Sequence, residues 1–522
     1  PVLSCGSHAM SLVRSAATIG GTTLLSRLLG FLRDVMVAAA LGTGPIADAF
    51  FVAFRFPNMF RSIFAEGAFN SAFVPLFSKR MEGEGAVAAR RFAEDALAVL
   101  LLALVIITLV AEIAMPWLML VFAPGFSQDP QKFEMAVEFT RVAFPYLLFI
   151  SLTALQSAIL NSLGRFFPGA AAPVMLNVTL IAAILFLMPL TDNPGRALVW
   201  GVAAAGVVQF LWLAVSLWRA GFVLHLRMPK LTPDVRRLFR LGVPGVIAGG
   251  ITQVNLTIGT IIASLQAGAV SWLYYADRIY QLPLAVIGIA IGVVLLPDLS
   301  RRLRAGDGAG ASRSQNRAIE FSMLLTVPAA VGIAVLSFDI IHVLFERGAF
   351  TRGDTAATSL ALIVYAAGLP AFVLNKVFSP AYFAREDTMT PLRFAAISIA
   401  VNIVTSFALF WYMGFVGIAI GTTLAAWVNT IQLGSRLWRR KEFVADAQLA
   451  RRLPLMAMAS AGMGVALWFA ASAFAPFFEA NLLTGIGALF ALIAGGVLVY
   501  GFLCEVTGAV RLGDLRRAFT RR

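Results

Sequence analysis

Long apolar segments separated by short polar stretches recur along the whole chain. Runs such as LAVLLLALVIITLVA (97–111) lack the alternation of polar and apolar positions that a membrane β-barrel strand requires, so they predict helices. A helix needs about 20 predominantly apolar residues to cross the hydrocarbon core. The chain is therefore predicted to be an all-α polytopic membrane protein with about 14 transmembrane helices. These are expected near 12–41, 48–78, 92–122, 136–163, 170–190, 197–218, 236–264, 268–299, 318–345, 356–383, 391–412, 415–436, 453–474 and 480–504.

The polar stretches between these segments alternate in charge. One set is rich in Arg and Lys, as in 79–91, 219–240 and 301–317. The other set is short and poor in cations, with Arg347 and Arg352 as its main exceptions. Because cytoplasmic loops carry the excess of basic residues, the rich set is predicted to be cytoplasmic, with both termini inside.

Three short motifs occur twice at nearly the same spacing. VPLFSKR (74–80) matches LPDLSRR (296–302) at an offset of 222, LMLVFAPGF (118–126) resembles HVLFERGAF (342–350), and LWR (217–219) returns at 437–439. Six predicted spans separate the copies, which predicts a parallel repeat of two six-helix lobes, an architecture typical of transporters. The expected domains are an N-terminal lobe at 11–220, a cytoplasmic linker at 221–240, a C-terminal lobe at 241–440, and two additional helices with a basic tail at 441–522. The linker is predicted to be an amphipathic surface helix.

Composition agrees with the membrane prediction. The 522 residues are 59% hydrophobic and 13% charged, about half the charged fraction of a soluble protein. Basic cytoplasmic loops account for the net charge of +14, so no nucleic-acid partner is predicted. Cys5 and Cys504 lie at opposite ends and predict no disulfide framework. Residues 1–10 are expected to be an expression scar, followed by a retained first helix and no cleavable signal peptide.

No motif in the chain predicts catalysis. The sequence has no G-x-x-x-x-G-K-[ST] loop for nucleotide phosphates and no H-E-x-x-H pattern. Its three histidines and two cysteines form no cluster in the sequence, so no metal site of those ligands is predicted. We therefore expect a transporter without a cofactor rather than an enzyme.

Charged residues inside the apolar segments carry the functional prediction. They fall in the stretch from Ser26 to Arg61 and in SWLYYADRIYQLP (271–283). Charges at membrane depth are costly, so they normally face a bundle interior or a wet cavity and mark a substrate path. The candidate substrate-binding residues are Arg27, Arg33, Asp34, Asp48, Arg55, Arg61, Asp277 and Arg278.

Two interpretations of these charges remain open. One is that they are internal ion pairs that fix helix packing, since Arg27 and Asp34, like Asp48 and Arg55, are seven residues apart and share a helix stripe. The dominance of Arg over Lys favours binding, because a planar guanidinium can grip phosphate or carboxylate oxygens with two parallel hydrogen bonds. On this interpretation the segments house a cavity for an anionic lipid-linked substrate.

The motifs SRLLGFLRD, ADAFFVAFRFPNMFRSIFAEGAFNSAFVP and YYADRIYQLP resemble those of the MurJ (MviN) family of lipid II flippases, within the multidrug/oligosaccharidyl-lipid/polysaccharide exporter superfamily. The resemblance runs from about Ser11 to the C-terminus. It implies fourteen helices, two six-helix lobes in a V-shaped arrangement, and two C-terminal helices that form a groove. It also implies a bacterial inner-membrane protein that serves peptidoglycan synthesis and cell shape. The implied substrate is lipid II, the undecaprenyl-pyrophosphate-linked disaccharide-pentapeptide. Membrane lipids and the wall-synthesis machinery are the other implied partners.

The same resemblance assigns roles to individual residues. The cavity arginines of the family match Arg27, Arg33, Arg61 and Arg278, and its acidic residue at the start of the second helix matches Asp48. Asp34 and Asp277 stand beside matched arginines, while Arg55 is a lysine in some relatives. Some members have a sodium site in the second lobe, but Asn375 and Lys376 occupy the corresponding region here and no acidic ligand is matched. Ion coupling and the membrane potential both remain open as energy sources.

The resemblance implies alternating access, in which the arginines hold the diphosphate while the lobes rock. An exporter of another lipid-linked oligosaccharide of the O-antigen type is the nearest alternative. A membrane-embedded lipid-phosphate transferase would need a carboxylate or histidine cluster at the membrane surface, and the sequence contains no such pattern.

Overall fold

The computed structural model describes residues 3–61 and 70–510, and all regular structure in these ranges is helical. The helices are α1 (Leu3–Leu41), α2 (Pro45–Arg61), α3 (Asn70–Gly83), α4 (Gly85–Phe122), α5 (Pro130–Ala143), α6 (Tyr146–Ser162), α7 (Phe167–Ala182), α8 (Pro194–Arg219), α9 (Pro233–Ala263), α10 (Ala269–Arg304), α11 (Gly308–Val335), α12 (Ser337–Phe345), α13 (Arg352–Phe383), α14 (Met389–Met413), α15 (Phe415–Arg439), α16 (Ala447–Ala480) and α17 (Leu482–Thr507). Short 3₁₀ turns lie at Pro124–Gln128 and Met188–Leu190, and a π turn lies at Ala183–Leu187.

Ten helical segments of the described chain are long and apolar enough to cross a membrane. They coincide with ten of the predicted spans and confirm an all-α multi-span protein. Each of the other four predicted spans (12–41, 48–78, 236–264 and 268–299) contains residues whose backbone or side chains the structure does not describe, and their described backbone is almost entirely helical. The total of fourteen spans therefore stays a prediction.

Two predicted spans are divided in the structure. Pro145 separates α5 from α6, as its missing N–H and ring favour a break there. The predicted span 318–345 is also two helices, because α11 ends at Val335 and α12 begins at Ser337.

The chain forms two compact units, Pro1–Ser271 and Trp272–Arg522. The core of the first unit is an apolar cluster between α3, α4, α6 and α8. Three phenylalanines stack at its centre, with the ring centroids of Phe73 and Phe77 5.5 Å apart and those of Phe73 and Phe92 5.4 Å apart. Stacked aromatic rings add to area burial in fixing these helices together.

The core of the second unit lies between α10, α11, α13 and α15. Its α16 and α17 pack against each other, and α16 also packs on α11. The additional C-terminal helices therefore belong to the second unit's packing rather than standing apart from it.

The two cores use corresponding sequence positions. An offset of 222 relates Leu155 to Val377 and Leu160 to Tyr382, and the LWR offset of 220 relates Leu217 to Leu437. Positions that the internal repeat relates to each other are thus buried in both cores. The domain boundaries predicted from the repeat stay a prediction.

The predicted surface helix over the linker is wrong for residues 222–232, which form no helix. Helix α9 begins at Pro233, after Thr232 caps it through a hydrogen bond from Val235 N. The extended segment is fixed by Glu94 of α4, which is 2% exposed and accepts from His225 N (3.1 Å) and Arg227 Nε (2.6 Å). The segment 222–232 is therefore held in place by the buried carboxylate of Glu94 and not by hydrogen bonds within a helix.

A charged network joins α11 to α16 in the second unit. Glu320 is 8% exposed and accepts hydrogen bonds from Arg317 and Arg452, with Gln448 Nε2 3.3 Å away. Asp446 caps α16 through Leu449 N at 2.7 Å and also accepts from Arg317. Each carboxylate here is satisfied by several donors, as a buried charge requires.

Glu320→Gln is expected to lower the melting temperature of the purified protein, corresponding to a loss of about 2 kcal/mol, because two arginines lose their shared acceptor. The matched control is Arg313→Gln, an exposed arginine on the same helix whose guanidinium is 4.0 Å from Asp307. Equal melting temperatures for Glu320→Gln and the control would contradict this role for Glu320.

Asp446→Asn is expected to lower the melting temperature at neutral pH, by an amount that shrinks as pH falls below about 4. Burial tends to raise the pKa of Asp446, but hydrogen bonds from Leu449 N and Arg317 lower it below its ordinary value of 3.8. A depressed carboxylate pKa stabilises the fold above the unfolded-state pKa, and this contribution is lost on acidification. Asn retains the capping oxygen, so a pH-independent difference would contradict the charge argument.

Candidate functional site

Arg33 and Asp34 form a buried ion pair on α1. Their residues are 7% and 3% exposed, and Asp34 Oδ1 accepts from Arg33 Nη2 at 2.6 Å and Nε at 3.1 Å. The guanidinium carbon also lies 5.7 Å from the ring centroid of Phe54 on α2. The pair carries no net charge, so its burial is less costly than that of either residue alone.

Asn177 of α7 completes this cluster. Its Oδ1 accepts from Arg33 Nη1 at 2.8 Å, and its Nδ2 donates to the carbonyl of Ser26 at 2.9 Å. The amide lies against α1 at Gly30, where a Cβ would be 3.4 Å from Asn177 Nδ2, an ordinary contact distance. The amide therefore holds both the arginine and the backbone of α1.

Asp48, in the first turn of α2, is completely buried and fully hydrogen-bonded. Its Oδ2 accepts from Lys132 Nζ at 2.7 Å and Gly268 N at 2.8 Å. Its Oδ1 accepts from Ser271 N at 3.1 Å and Ser271 Oγ at 2.6 Å. Four donors from α5, from Gly268 and from the first turn of α10 thus converge on one carboxylate, which acts as an N-terminal cap for α10.

The surroundings of Asp48 are closely packed. Lys132 Nζ lies 4.1 Å from the ring centroid of Phe126, so the ammonium is held by a carboxylate and an aromatic face. Gly125 N donates to Ser264 Oγ at 3.1 Å, and a Cβ at Gly125 would lie 2.2 Å from Ser264 O. Only glycine permits this approach of the 3₁₀ turn to the end of α9.

The remaining candidates of the first unit differ in environment. Arg55 is half-buried and donates to Thr260 Oγ1 of α9. Arg27 is exposed and makes no hydrogen bond or ion pair with another residue that the structure describes. Arg61 ends α2, but its side chain lies outside the described part of the chain.

In the second unit, Asp277 and Arg278 are half-buried neighbours on α10. Arg278 Nη2 donates to Tyr274 OH at 2.9 Å, and its guanidinium carbon lies 4.6 Å from the Tyr274 ring centroid. Gln281 Nε2 donates to Asp277 Oδ2. Both contacts join residues four apart, as helical spacing predicts.

The pairing suggested by the seven-residue spacing is wrong. Asp34 pairs with its neighbour Arg33 rather than with Arg27, and Asp48 pairs with Lys132 rather than with Arg55. Lys132 was not among the predicted site residues. Nor were three polar residues in the contacts described above: Asn177, Thr260 and Ser271. Lys132 lies in the first turn of α5, and no local sequence pattern connects it with Asp48.

These clusters suit reversible binding of an anion more than catalysis. Guanidinium groups held by carboxylate or amide oxygens can exchange those acceptors for phosphate oxygens of similar geometry. Among the described residues, no group of three His, Cys, Asp or Glu side chains is placed to hold a metal ion.

Comparisons with known proteins agree on one family. Residues 37–487 match the family model described as "Lipid II flippase MurJ". The chain is 46% identical over 519 residues to a probable lipid II flippase MurJ of Rhizobium tropici, covering 98% of this chain and 97% of the relative. It is 47% identical over 518 residues to that of Rhizobium meliloti, with the same coverage.

Solved structures give the same result for the fold. A lipid II flippase MurJ in an inward closed conformation matches with a TM-score of 0.79 and 25% identity, covering 94% of this chain and 98% of that one. An inward-facing multidrug resistance MATE transporter of the MOP superfamily matches with a TM-score of 0.67 and 16% identity, covering 82% and 99%. The second match concerns the fold alone.

Asp48→Asn and Lys132→Met are each expected to destabilise the protein by about 3 kcal/mol or more, because each leaves a buried partner uncompensated. The double variant is expected to lose less than the sum of the two, since neither charge then remains alone. Melting temperatures of the purified variants give the measurement. Strict additivity would contradict direct coupling between Asp48 and Lys132.

Proposed function

Because the chain belongs to the MurJ family of lipid II flippases, we propose that it moves lipid II from the inner to the outer leaflet of the bacterial inner membrane for peptidoglycan synthesis. Family membership over nearly the whole chain is the observation that carries this proposal. The all-helical multi-span fold supports it, since a flippase must provide a path across the bilayer. Its chemistry is binding and transport, with no covalent step.

The finer part of the proposal is that arginines hold the diphosphate of the substrate. Arg27, Arg33, Arg61 and Arg278 are the proposed ligands, assisted by Arg55. The buried pairing of Arg33 with Asp34 supports this role, because a diphosphate oxygen can take the place of the carboxylate. The exposed guanidinium of Arg27 supports it as well, since an exposed charge within an apolar helix requires a polar environment.

When substrate is absent, Asp34 offsets the charge of Arg33 and Asp48 offsets that of Lys132, and we propose that Asp277 does the same beside Arg278. A site that is internally paired avoids the cost of several uncompensated arginines in a low-dielectric region. When substrate binds, an arginine exchanges its carboxylate acceptor for an oxygen of the diphosphate. The difference in binding free energy between conformations is what drives the change of access.

We further propose alternating access between two lobes, at 11–220 and 241–440, with both termini in the cytoplasm. The related flippase structure in an inward closed conformation supports a cycle of this kind. The distribution of basic loops supports the orientation. Lipid II and the surrounding membrane lipids are the proposed partners, together with the wall-synthesis machinery.

Arg27→Ala and Arg278→Ala are expected to reduce lipid II translocation about tenfold or more, as the loss of a charge-assisted hydrogen bond implies. The measurement is leaflet exchange of labelled lipid II in liposomes that contain the full chain. Arg196→Ala is the matched control, because this half-exposed arginine pairs with Glu138 at the surface.

Full activity in both variants would contradict the proposal that arginines hold the diphosphate, while leaving lipid II transport itself intact. A wild-type protein that moves an undecaprenyl-pyrophosphate oligosaccharide but not lipid II would contradict the proposed substrate. Protein level and elution volume verify that each variant is folded.

A further inference from the structure

A cavity of about 520 Å³ lies in the second unit, where the α12–α13 turn meets the α16–α17 turn. This volume is within the range of sites that hold small ligands. Its polar lining includes Arg347, Arg352 and Glu346, and its apolar lining includes Phe478 and Leu482. None of these residues belongs to the clusters proposed for lipid II.

The acidic groups of the cavity are already engaged. Glu346 Oε2 lies 2.8 Å from His342 Nδ1 and accepts from Thr355 Oγ1 at 2.6 Å. Glu479 is 3.6 Å from Arg352, in a pair with both side chains largely exposed. Solvent weakens such an exposed pair, so Arg352 is only partly neutralised.

Arg347 is the least compensated charge in the cavity. Its Nη2 donates to the carbonyls of Val343 and Leu344 at the end of α12, and it has no carboxylate within 4.0 Å among the residues that the structure describes. Partial burial lowers the pKa of Arg347, because removal from water disfavours the charged guanidinium. An anion in the cavity would supply a counter-charge.

Two helix N-termini add to the positive potential. Helix α13 begins at Arg352 and α17 begins at Leu482, and both residues line the cavity. The backbone N–H groups of a helix N-terminus favour anions. They reinforce the two arginines, which supply the main attraction.

The apolar surface beside the cavity indicates where such an anion comes from. Phe477, Leu482, Leu483 and Ile486 are 52%, 48%, 80% and 45% exposed around the α16–α17 turn. These side chains lie at the end of two helices that are apolar enough to span a membrane, where acyl chains would cover them. A headgroup phosphate can therefore enter the cavity while its acyl chains remain on this surface.

We propose that this cavity binds the phosphate group of an anionic phospholipid, with Arg347 and Arg352 as its ligands. The site is separate from transport of lipid II and does not depend on that proposed function. Inorganic phosphate shares the recognised chemistry, so the test includes both sources.

The experiment measures the melting temperature of the purified full chain in detergent during titration with dioleoylphosphatidylglycerol, dioleoylphosphatidylcholine or inorganic phosphate. Wild-type protein is expected to be stabilised more by phosphatidylglycerol than by phosphatidylcholine. Arg347→Gln and Arg352→Gln are each expected to weaken the apparent affinity for phosphatidylglycerol about tenfold, the effect of losing one charge-assisted hydrogen bond. Arg196→Gln, which removes an arginine that does not line the cavity, is expected to retain the wild-type response.

Arg352→Gln keeps the test valid if Arg347→Gln fails to fold, because Arg352 does not cap α12. Stabilisation by inorganic phosphate alone, lost in the same variants, would support the site and assign it to the free ion. Equal responses to the two phospholipids in wild type, with no effect of phosphate, would overturn the proposal. Unchanged titrations in Arg352→Gln would overturn it as well.

Discussion

A charge that is buried in an apolar helix must be satisfied by the protein, and the described structure depends on how this is done. Asp48 is the clearest case, because its two oxygens accept four hydrogen bonds while the residue is completely buried. Water supplies none of these donors, so α2, α5 and the first turn of α10 must be placed to provide them. The position of these three elements is thereby linked to a single carboxylate. Arg33 imposes a similar constraint on α1 and α7 through Asn177.

Two cations of the first unit, Arg33 and Lys132, are already paired with carboxylates, and this bears on the proposed transport. A site lined by unpaired arginines would bind a diphosphate tightly and release it slowly. A site whose arginines already have acceptors binds by exchange, so the net gain is smaller and release is easier. Arg33 is an arginine that is already paired, with Asp34, whereas Arg27 is exposed. A combination of both is suited to a carrier, which must bind and release the same ligand in each cycle.

Local sequence patterns predicted much of this architecture. Apolar runs located the helices, and four-residue spacing on α10 accounts for the contacts of Tyr274 with Arg278 and of Gln281 with Asp277. The partners of the first-unit charges were beyond such patterns, because Lys132 is 84 residues from Asp48 and Asn177 is 144 from Arg33. Spacing along one helix reveals which residues share a face, but it contains no information on which other helix that face meets. The prediction of a helix over the linker was wrong for a different reason. Its amphipathic pattern suited a helix, but Glu94 accepts hydrogen bonds from His225 N and Arg227 in a segment that is not helical.

The contact of Glu94 with Arg227 also makes the linker a tether of defined length. Between the anchored Arg227 and the start of α9 at Pro233 lie only the five residues from Met228 to Thr232. Six residue steps separate Arg227 from Pro233, and a fully extended chain covers about 21 Å at most over this distance. The start of α9 can therefore travel no farther than this from the anchor unless Glu94 releases its ligands. Glu94 of α4 in this way limits how far the start of α9 can move, although α9 begins more than a hundred residues later in the chain.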